Sequence, residues 1–246
     1  MNAAATPRIS LVVPAYNEER HLPALLESVS TARARYQLGA QAVEVIVADN
    51  ASTDATARIA RERDCRVVAV AERTIATVRN AGAAVAGGTV VAFVDADSLV
   101  HPDTFDAIDR TLTERVVVGA TGITMSRSSM GIVVTMVLAN LFTRLARVDA
   151  GVVFCRWADW KAVGGYDQSR RIAEDLAFLR DLKRLGRSRG QRFARAKGAA
   201  TITSARKFDR HGDWHFFTSS PRLLAQFLFD RRGYRRFVER YWYTRE

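Results

Sequence analysis

Residues 89–100, TVVAFVDADSLV, constrain this chain more than any other stretch. A run of Val, Ala and Phe with almost no polar residue reads as a strand covered on both faces, as in the middle of a parallel sheet. It ends in two carboxylates, Asp95 and Asp97. On a strand, residues two apart share a side, so both would project from the sheet's carboxyl edge, where open α/β sheets place their ligands. Two carboxylates at such an edge are costly to strip of water unless hydrogen-bond donors or a cation meet them, and a hard divalent metal bound through oxygen would do so. The alternative is local: Asp97 and Ser98 start a turn and cap a helix after Pro102.

The chain before this stretch alternates. Residues 8–14 (RISLVVP) read as a buried first strand, and Pro14-Ala15-Tyr16-Asn17 turns into a helix with Asn17 as N-cap and Glu18 and Glu19 in its first turn. That helix carries Leu22, Leu25, Leu26 and Val29 on one face. Glu18 would then stabilise the helix dipole, and Tyr16 presents a ring face to a planar base. Residues 43–48 (VEVIVA) are a second strand. The loop 49–54 (DNASTD) caps a helix running to about Arg63 through Thr53 or Asp54, which leaves Asp49 at the strand's end to accept hydrogen bonds from a base or ribose. A third strand over 66–71 precedes a helix over 73–86 that closes at Gly87-Gly88. Arg79 and Asn80 lie on this helix, Arg79 placed to pair with a diphosphate or with surface acids. Strands and helices in strict alternation, joined by short connections, predict a parallel sheet with right-handed crossovers.

Composition narrows the class. At 246 residues the chain has enough length for one full core, and 48% hydrophobic with 26% charged residues is ordinary for a soluble globular protein. The longest apolar run, residues 132–142 (IVVTMVLANLF), falls short of the roughly 20 residues that cross a bilayer. The N-terminal residues lack a signal-peptide pattern, from which a cytoplasmic protein is expected. Cys65 and Cys155, without CxxC spacing, read as core thiols rather than a disulfide or zinc site. A net charge of +11 suits a phosphorylated substrate or an anionic membrane surface. Zinc-finger and aromatic RNA-binding signatures are absent, which disfavours nucleic acid.

Taken together, VVPAYNEE, VIVADNASTDAT, VRNAGAAVAGG and VVAFVDAD, in this order and spacing, resemble the nucleotide-sugar-binding half of family 2 glycosyltransferases with the GT-A fold. Farther on, GVVFCRWADWKAVGGY (residues 151–166) followed by Glu174-Asp175-Leu176 is similar to that family's acceptor-side strand, GG turn and ED motif. The resemblance implies an α/β fold with a Rossmann-like, mostly parallel central sheet flanked by helices and a smaller antiparallel acceptor-side region. It implies a single domain, with a donor half over about 1–100, an acceptor and catalytic half over about 101–215, and a basic amphipathic tail over about 216–246. By the same comparison Pro14, Ala15, Tyr16 and Glu18 line the nucleoside, Asp49 contacts the base, and Ser52 and Arg79 lie nearby. Asp95 and Ala96 hold the ribose and diphosphate region, and Asp97 binds Mg2+ or Mn2+ bridging the phosphates. Asp175 is the general base, with Glu174 binding the acceptor or standing in as base. The implied reaction is metal-dependent, inverting transfer of a sugar from a nucleoside diphosphate donor, UDP- or GDP-linked, to a hydroxyl acceptor.

Two other readings compete. A sugar-phosphate nucleotidyltransferase should show a Gly-rich basic loop after the first strand, which residues 14–19 lack. A non-catalytic nucleotide-sugar-binding or membrane-docking module would keep the fold without the base. For Glu174 and Asp175 the structural alternative is acids in the first turn of a helix carrying Leu176, Phe178, Leu179 and Leu182.

Residues 115–123 read as another strand. Residues 130–147 read as a largely buried core helix, with a membrane surface or an acceptor pocket as alternatives suggested by Arg144 and Arg147. Trp157 and Trp160 either stack on a sugar or fill the core. His211, and less so His215, are candidates for a further metal ligand. From Ala205 onward ten Lys and Arg stand against five Asp and Glu. This suggests a lipid-linked acceptor and peripheral contact with the inner face of an anionic membrane.

Overall fold

The structure is a computed structural model that describes residues 6–72, 74–146, 148–170 and 173–214. Its first part alternates as the sequence predicts: β1 (Ile9–Ala15), α1 (Leu22–Arg35), β2 (Val43–Asp49), α2 (Thr56–Glu62), β3 (Arg66–Ala69), α3 (Ile75–Ala84) and β4 (Val90–Phe93). There follow β5 (Ser98–Leu99), α4 (Thr104–Thr111), β6 (Val116–Ala120), β7 (Ile123–Met125), α5 (Met130–Ala146), β8 (Val153–Arg156), α6 (Trp157–Ala162), α7 (Glu174–Ser188), β9 (Arg192–Arg195), β10 (Thr201–Thr203) and α8 (Arg206–His211).

Seven strands form one sheet in the order β3-β2-β1-β4-β8-β6-β9, and β5-β10-β7 form a small second sheet. β1, β2, β3 and β4 are parallel, while β8 runs antiparallel to both neighbours. β1 is buried along its whole length and β4 likewise, which is why both read as uninterrupted apolar runs. The register pairs Ala15 with Asp49 and Val12 with Phe93. The loops after β1, β2 and β4 therefore leave the same edge of the sheet. Pro14 has no N–H to offer β4, and the β1–β4 pairing ends at Val12 and Phe93. Beyond that point the chain is free to turn out of the sheet.

One side of the sheet is packed by α1 and α4 through Leu22, Leu25, Leu26, Val29, Phe105 and Ile108. The other is packed by α3, α6 and α7 through Ala76, Ala83, Trp160, Phe178, Leu179 and Leu182. α3 sits unusually close to β1: a Cβ on Gly82 would lie 2.4 Å from a Val12 methyl carbon. Cys65 and Cys155 are free and buried.

Four local expectations are corrected. Asn17 is not an N-cap; it adopts φ 51, and α1 starts five residues later after His21. Gly87-Gly88 is not a C-cap, because α3 ends at Val85 with ordinary φ. Gly88 is instead required by contact, its absent Cβ falling 2.7 Å from Ser10 Oγ. Asp95 and Asp97 are not strand residues, since β4 stops at Phe93 and Ser98 N donates to Asp95 O across a turn. α5 forms where predicted but is not a core helix: Met130, Val133, Val137, Leu138 and Leu141 are exposed.

The chain divides into two compact units. One comprises Met1–Thr124 with Thr143–Thr203, the other Met125–Phe142 with Ser204–Glu246. The first contains the seven-stranded sheet. In the second, α5 and α8 meet through Ile132, Ala205 and Phe208. Arg147, His215 and the tail over 216–246 lie outside the described residues.

Candidate active site

The loops after β1 and β2 are laced together by side chains. Asn17 N donates to Ser52 Oγ at 2.9 Å, Thr53 N to Asn17 Oδ1 at 2.8 Å, Glu18 N to Thr56 Oγ1 at 2.8 Å, and Glu19 N to Asp54 Oδ2 at 3.1 Å. The polar residues that read as helix caps thus cap each other's loops, and they hold Tyr16, half-buried, at the sheet edge. Ser52 Oγ accepts within this clasp. Glu18 is buried with Oε2 3.0 Å from His21 Nδ1, so it serves the turn rather than a helix dipole.

Beside the clasp, Asp49 ends β2. It is 7% exposed, and its Oδ1 is buried with no hydrogen-bond partner among the described residues. A buried acceptor without a donor is rare in folded proteins. Pro14 and Ala15 are buried at the end of β1 next to it.

Arg79 organises the other half. It projects from α3, is only 5% exposed, and reaches three carboxylates. Nη1 lies 2.6 Å from Asp175 Oδ1 and 3.3 Å from Glu174 Oε1, and Nη2 lies 3.0 Å from Asp95 Oδ1. Its guanidinium also stands 5.2 Å from the centre of the Tyr166 ring, which stacks on Phe178 at 4.1 Å. A charge this deep in the protein requires such neighbours, and they hold its pKa well above the usual arginine value despite burial. Glu174 and Asp175 open α7 directly after Ala173, which takes the left-handed conformation at φ 57. Glu174 is largely enclosed and Asp175 about half in water. Removal from water pushes both carboxyls above the ordinary range. Neighbouring carboxylates add to this, Asp175 for Glu174 and Asp95 for Asp175, and Arg79 partly offsets it.

Asn80, one residue on, was visible only as a position on a helix. It is buried, donating to Tyr166 O and accepting from Tyr166 N, both at 2.8 Å. This clamp fixes the Gly164-Gly165 turn, where Gly165 has φ 71 and a Cβ would lie 2.5 Å from Asn80 Oδ1. Tyr166, placed by the clamp, is the residue that sequence reading missed as the platform beneath Arg79. Trp157 and Trp160 fill the core, with Trp157 Nε1 donating to Ala83 O. Leu176, expected on the buried face of α7, is exposed beside Asp175.

Asp95 is exposed, Ala96 buried and Asp97 half-buried in the turn after β4. Among the described residues no three His, Cys, Asp or Glu side chains converge as a metal cage. The donor set nevertheless fits Mg2+ or Mn2+ of the kind held by one or two carboxylates, with phosphate oxygens and water completing the shell. His211 ends α8, and its side chain lies outside the described residues.

Comparison with known proteins identifies the family and the fold. Residues 10–161 match the family described as glycosyl transferase family 2. The succinoglycan biosynthesis protein ExoA of Rhizobium meliloti is 28% identical over 189 residues, covering 67% of this chain and 54% of that protein. The chain spans 15% to 54% of the length of the curated relatives it matches. Among solved structures, S. aureus TarS in complex with UDP superposes with a TM-score of 0.61 at 21% identity, covering 80% of this chain and 60% of that one. The mannosyltransferase PcManGT of Pyrobaculum calidifontis, in complex with GDP-Man and Mn2+, gives 0.61 at 18% identity, covering 87% and 64%. The mostly parallel seven-stranded sheet has the GT-A fold, and with residues 10–161, more than half of the chain, matching its model, the chain belongs to glycosyl transferase family 2.

Proposed function

We propose that the protein transfers a sugar from a nucleoside diphosphate donor to a hydroxyl acceptor with inversion, using Asp175 as general base. The observation that carries this reading is the Arg79 cluster. One buried guanidinium ties Asp95, in the loop after β4, to Glu174 and Asp175 at the start of α7. Asp49 Oδ1 takes a hydrogen bond from the base or ribose, Pro14, Ala15 and Tyr16 line the nucleoside, and the diphosphate lies over Asp95, Ala96 and Asp97. When bound through Asp97, Mg2+ or Mn2+ supplies charge neutralisation at the diphosphate. Asp175 accepts the proton of the acceptor hydroxyl as its oxygen bonds to the anomeric carbon and the bond to the departing phosphate oxygen breaks. A single displacement inverts the configuration. A carboxyl held above its ordinary pKa is a stronger base once ionised, which suits this role. Arg79 acts through Asp175 and is a positioning residue.

The donor half is built from the loops up to about residue 100 and the acceptor side from later residues of the same unit. UDP- and GDP-linked sugars are the candidate donors, since the TarS complex holds UDP and the PcManGT complex GDP-Man with Mn2+. The test is a thermal-shift panel of UDP and GDP with and without Mn2+, run on wild type and Asp175→Asn. A ligand that binds only the native state raises the melting temperature. The expected result is a Mn2+-dependent shift with one nucleotide, equal in both proteins, with transfer reduced about 10²- to 10⁴-fold in the variant. Transfer undiminished in Asp175→Asn overturns Asp175 as base. Absence of any shift overturns the donor class.

A further inference from the structure

We propose that α5 lies flat on an anionic lipid surface, and that the second compact unit is a membrane-docking element. The inference stands apart from the sugar-transfer reading, because α5 up to Phe142 and α8 belong to a different unit from the Arg79 cluster.

α5 reads MGIVVTMVLANLFTRLA, with one charged residue in 17. A helix apolar all round is stable only when something apolar covers it. Within its unit the cover is small: Ile132 packs on Ala205 and Phe208, with Met125 and Met136 beside them. Met130, Val133, Val137, Leu138 and Leu141 are left between 49% and 77% exposed. Their spacing of three, four, one and three places them on one helical face. A contiguous apolar stripe of this kind marks an interaction surface rather than ordinary scatter. The helix is too short to cross a bilayer, and no helix among the described residues is long and apolar enough to do so. Lying in the headgroup plane buries the stripe without spanning.

Charge selects the occupant. By sequence, Met125–Phe142 and Ser204–Glu246 carry eleven Lys and Arg against five Asp and Glu, a balance of +6 out of +11 for the whole chain, of which Arg127, Arg206, Lys207 and Arg210 against Asp209 and Asp213 lie among the described residues. A quarter of the residues thus carries more than half of the excess. Two copies joined through this unit would bring like charge together, whereas an anionic lipid surface meets both the apolar stripe and the charge. Arg210 on α8 is exposed beside half-exposed Trp214, a residue type that favours the interface between lipid and water.

The experiment is co-sedimentation of the full chain with vesicles of phosphatidylcholine alone and of phosphatidylcholine with phosphatidylglycerol, at low and high salt. It is run on wild type and on the double variant Val137→Asp/Leu141→Asp, with size-exclusion chromatography and melting curves on the same samples. Wild type should bind the anionic vesicles, bind the neutral ones weakly, and lose affinity with salt. The double variant should bind anionic vesicles at least about tenfold more weakly while remaining monomeric and folded. Equal binding by wild type and variant overturns the role of α5, and equal binding to both vesicle types overturns the charge argument. A wild-type dimer that the variant dissociates, or a variant melting several degrees lower, shows the stripe covered by a second copy or by the chain itself, and overturns the proposal.

Discussion

Arg79 Nη1 donates to Asp175 Oδ1 at 2.6 Å across 96 positions of sequence, and the same guanidinium holds Asp95 through Nη2. The proposed base and the first carboxylate of the DAD turn are therefore fixed relative to each other by one side chain. Replacing Arg79 by Met leaves three carboxylates facing one another without their cation. Stability should fall by roughly 2–4 kcal/mol, at or below the cost of breaking a fully buried pair because Asp95 and Asp175 keep contact with water. Arg79→Lys should recover only part of this, since its three donors leave a single nitrogen, whereas Nη1 and Nη2 of the guanidinium reach Asp175 and Asp95 from separate positions. Denaturant midpoints and kcat on the two variants measure both effects.

The pH dependence of transfer should follow the raised carboxyl of Asp175. A base must be ionised, so kcat falls as pH drops through its pKa, and that acid limb should sit above the ordinary aspartate value of about 4. Arg79 pulls the pKa down, so Arg79→Met should move the limb to still higher pH. A limb unmoved by the substitution contradicts the pairing.

Stability should carry the signature of an acid whose burial outweighs its ion pair with Arg79. Glu174 holds its proton more tightly folded than unfolded, mainly through removal from water. Its contribution is most favourable below the ordinary glutamate value and is lost as pH rises through the raised folded one. Glu174→Gln should therefore melt higher than wild type at neutral pH, with the gain vanishing in acid. Melting curves at pH 4 and pH 8 decide it.

Asn80 bonds both backbone groups of Tyr166, and Tyr166 underlies Arg79. Asn80→Leu strands a buried N–H and a buried C=O, at about 1–3 kcal/mol each. Gly165→Ala should also destabilise, because its φ of 71 and the 2.5 Å approach to Asn80 Oδ1 leave no room for a methyl group. Chemical denaturation of each variant provides the check.

Asp54 accepts from Thr56 N at 2.9 Å and from Glu19 N at 3.1 Å, which holds its carboxyl below the usual range against some desolvation. Asp54→Ala should cost about 1 kcal/mol, typical of a lost cap, and weaken donor binding with little change in kcat. The stability difference from wild type should shrink as pH falls through the carboxylate range, because protonation removes the same acceptor. Donor titration and acid-side melting curves test the two parts.

Much of the first half of the chain was legible in the sequence. β1, β2 and β4 are buried along their length, so their apolar runs have clear ends, and the polar residues where those runs stop fall in loops at one edge of the sheet. What misled was local chemistry with two uses. Asn17 has the composition of a helix cap, yet it bonds Ser52 and Thr53 across 35 or more positions, while Asp54 both caps α2 at Thr56 N and reaches across to Glu19 N. Gly87-Gly88 looked like a helix stop, yet contact with Ser10 requires Gly88. The apolar continuity of α5 promised a core helix, but continuity states only that a helix needs a cover, not that its own chain supplies one.

By itself the sequence determined the alternation of strands and helices from β1 to β4, the carboxyl edge at which Asp49 and Asp95 stand, and the family resemblance, because hydrophobic period and turn chemistry are properties of neighbouring residues. Only the tertiary structure decided that Arg79 is a buried cation shared by Asp95, Glu174 and Asp175, that Asn80 clamps Tyr166 beneath it, and that Asp49 keeps an acceptor without a donor. A charge is neutralised, and a buried polar atom satisfied, by whatever the fold brings within about 3 Å, and no spacing along the chain encodes that distance.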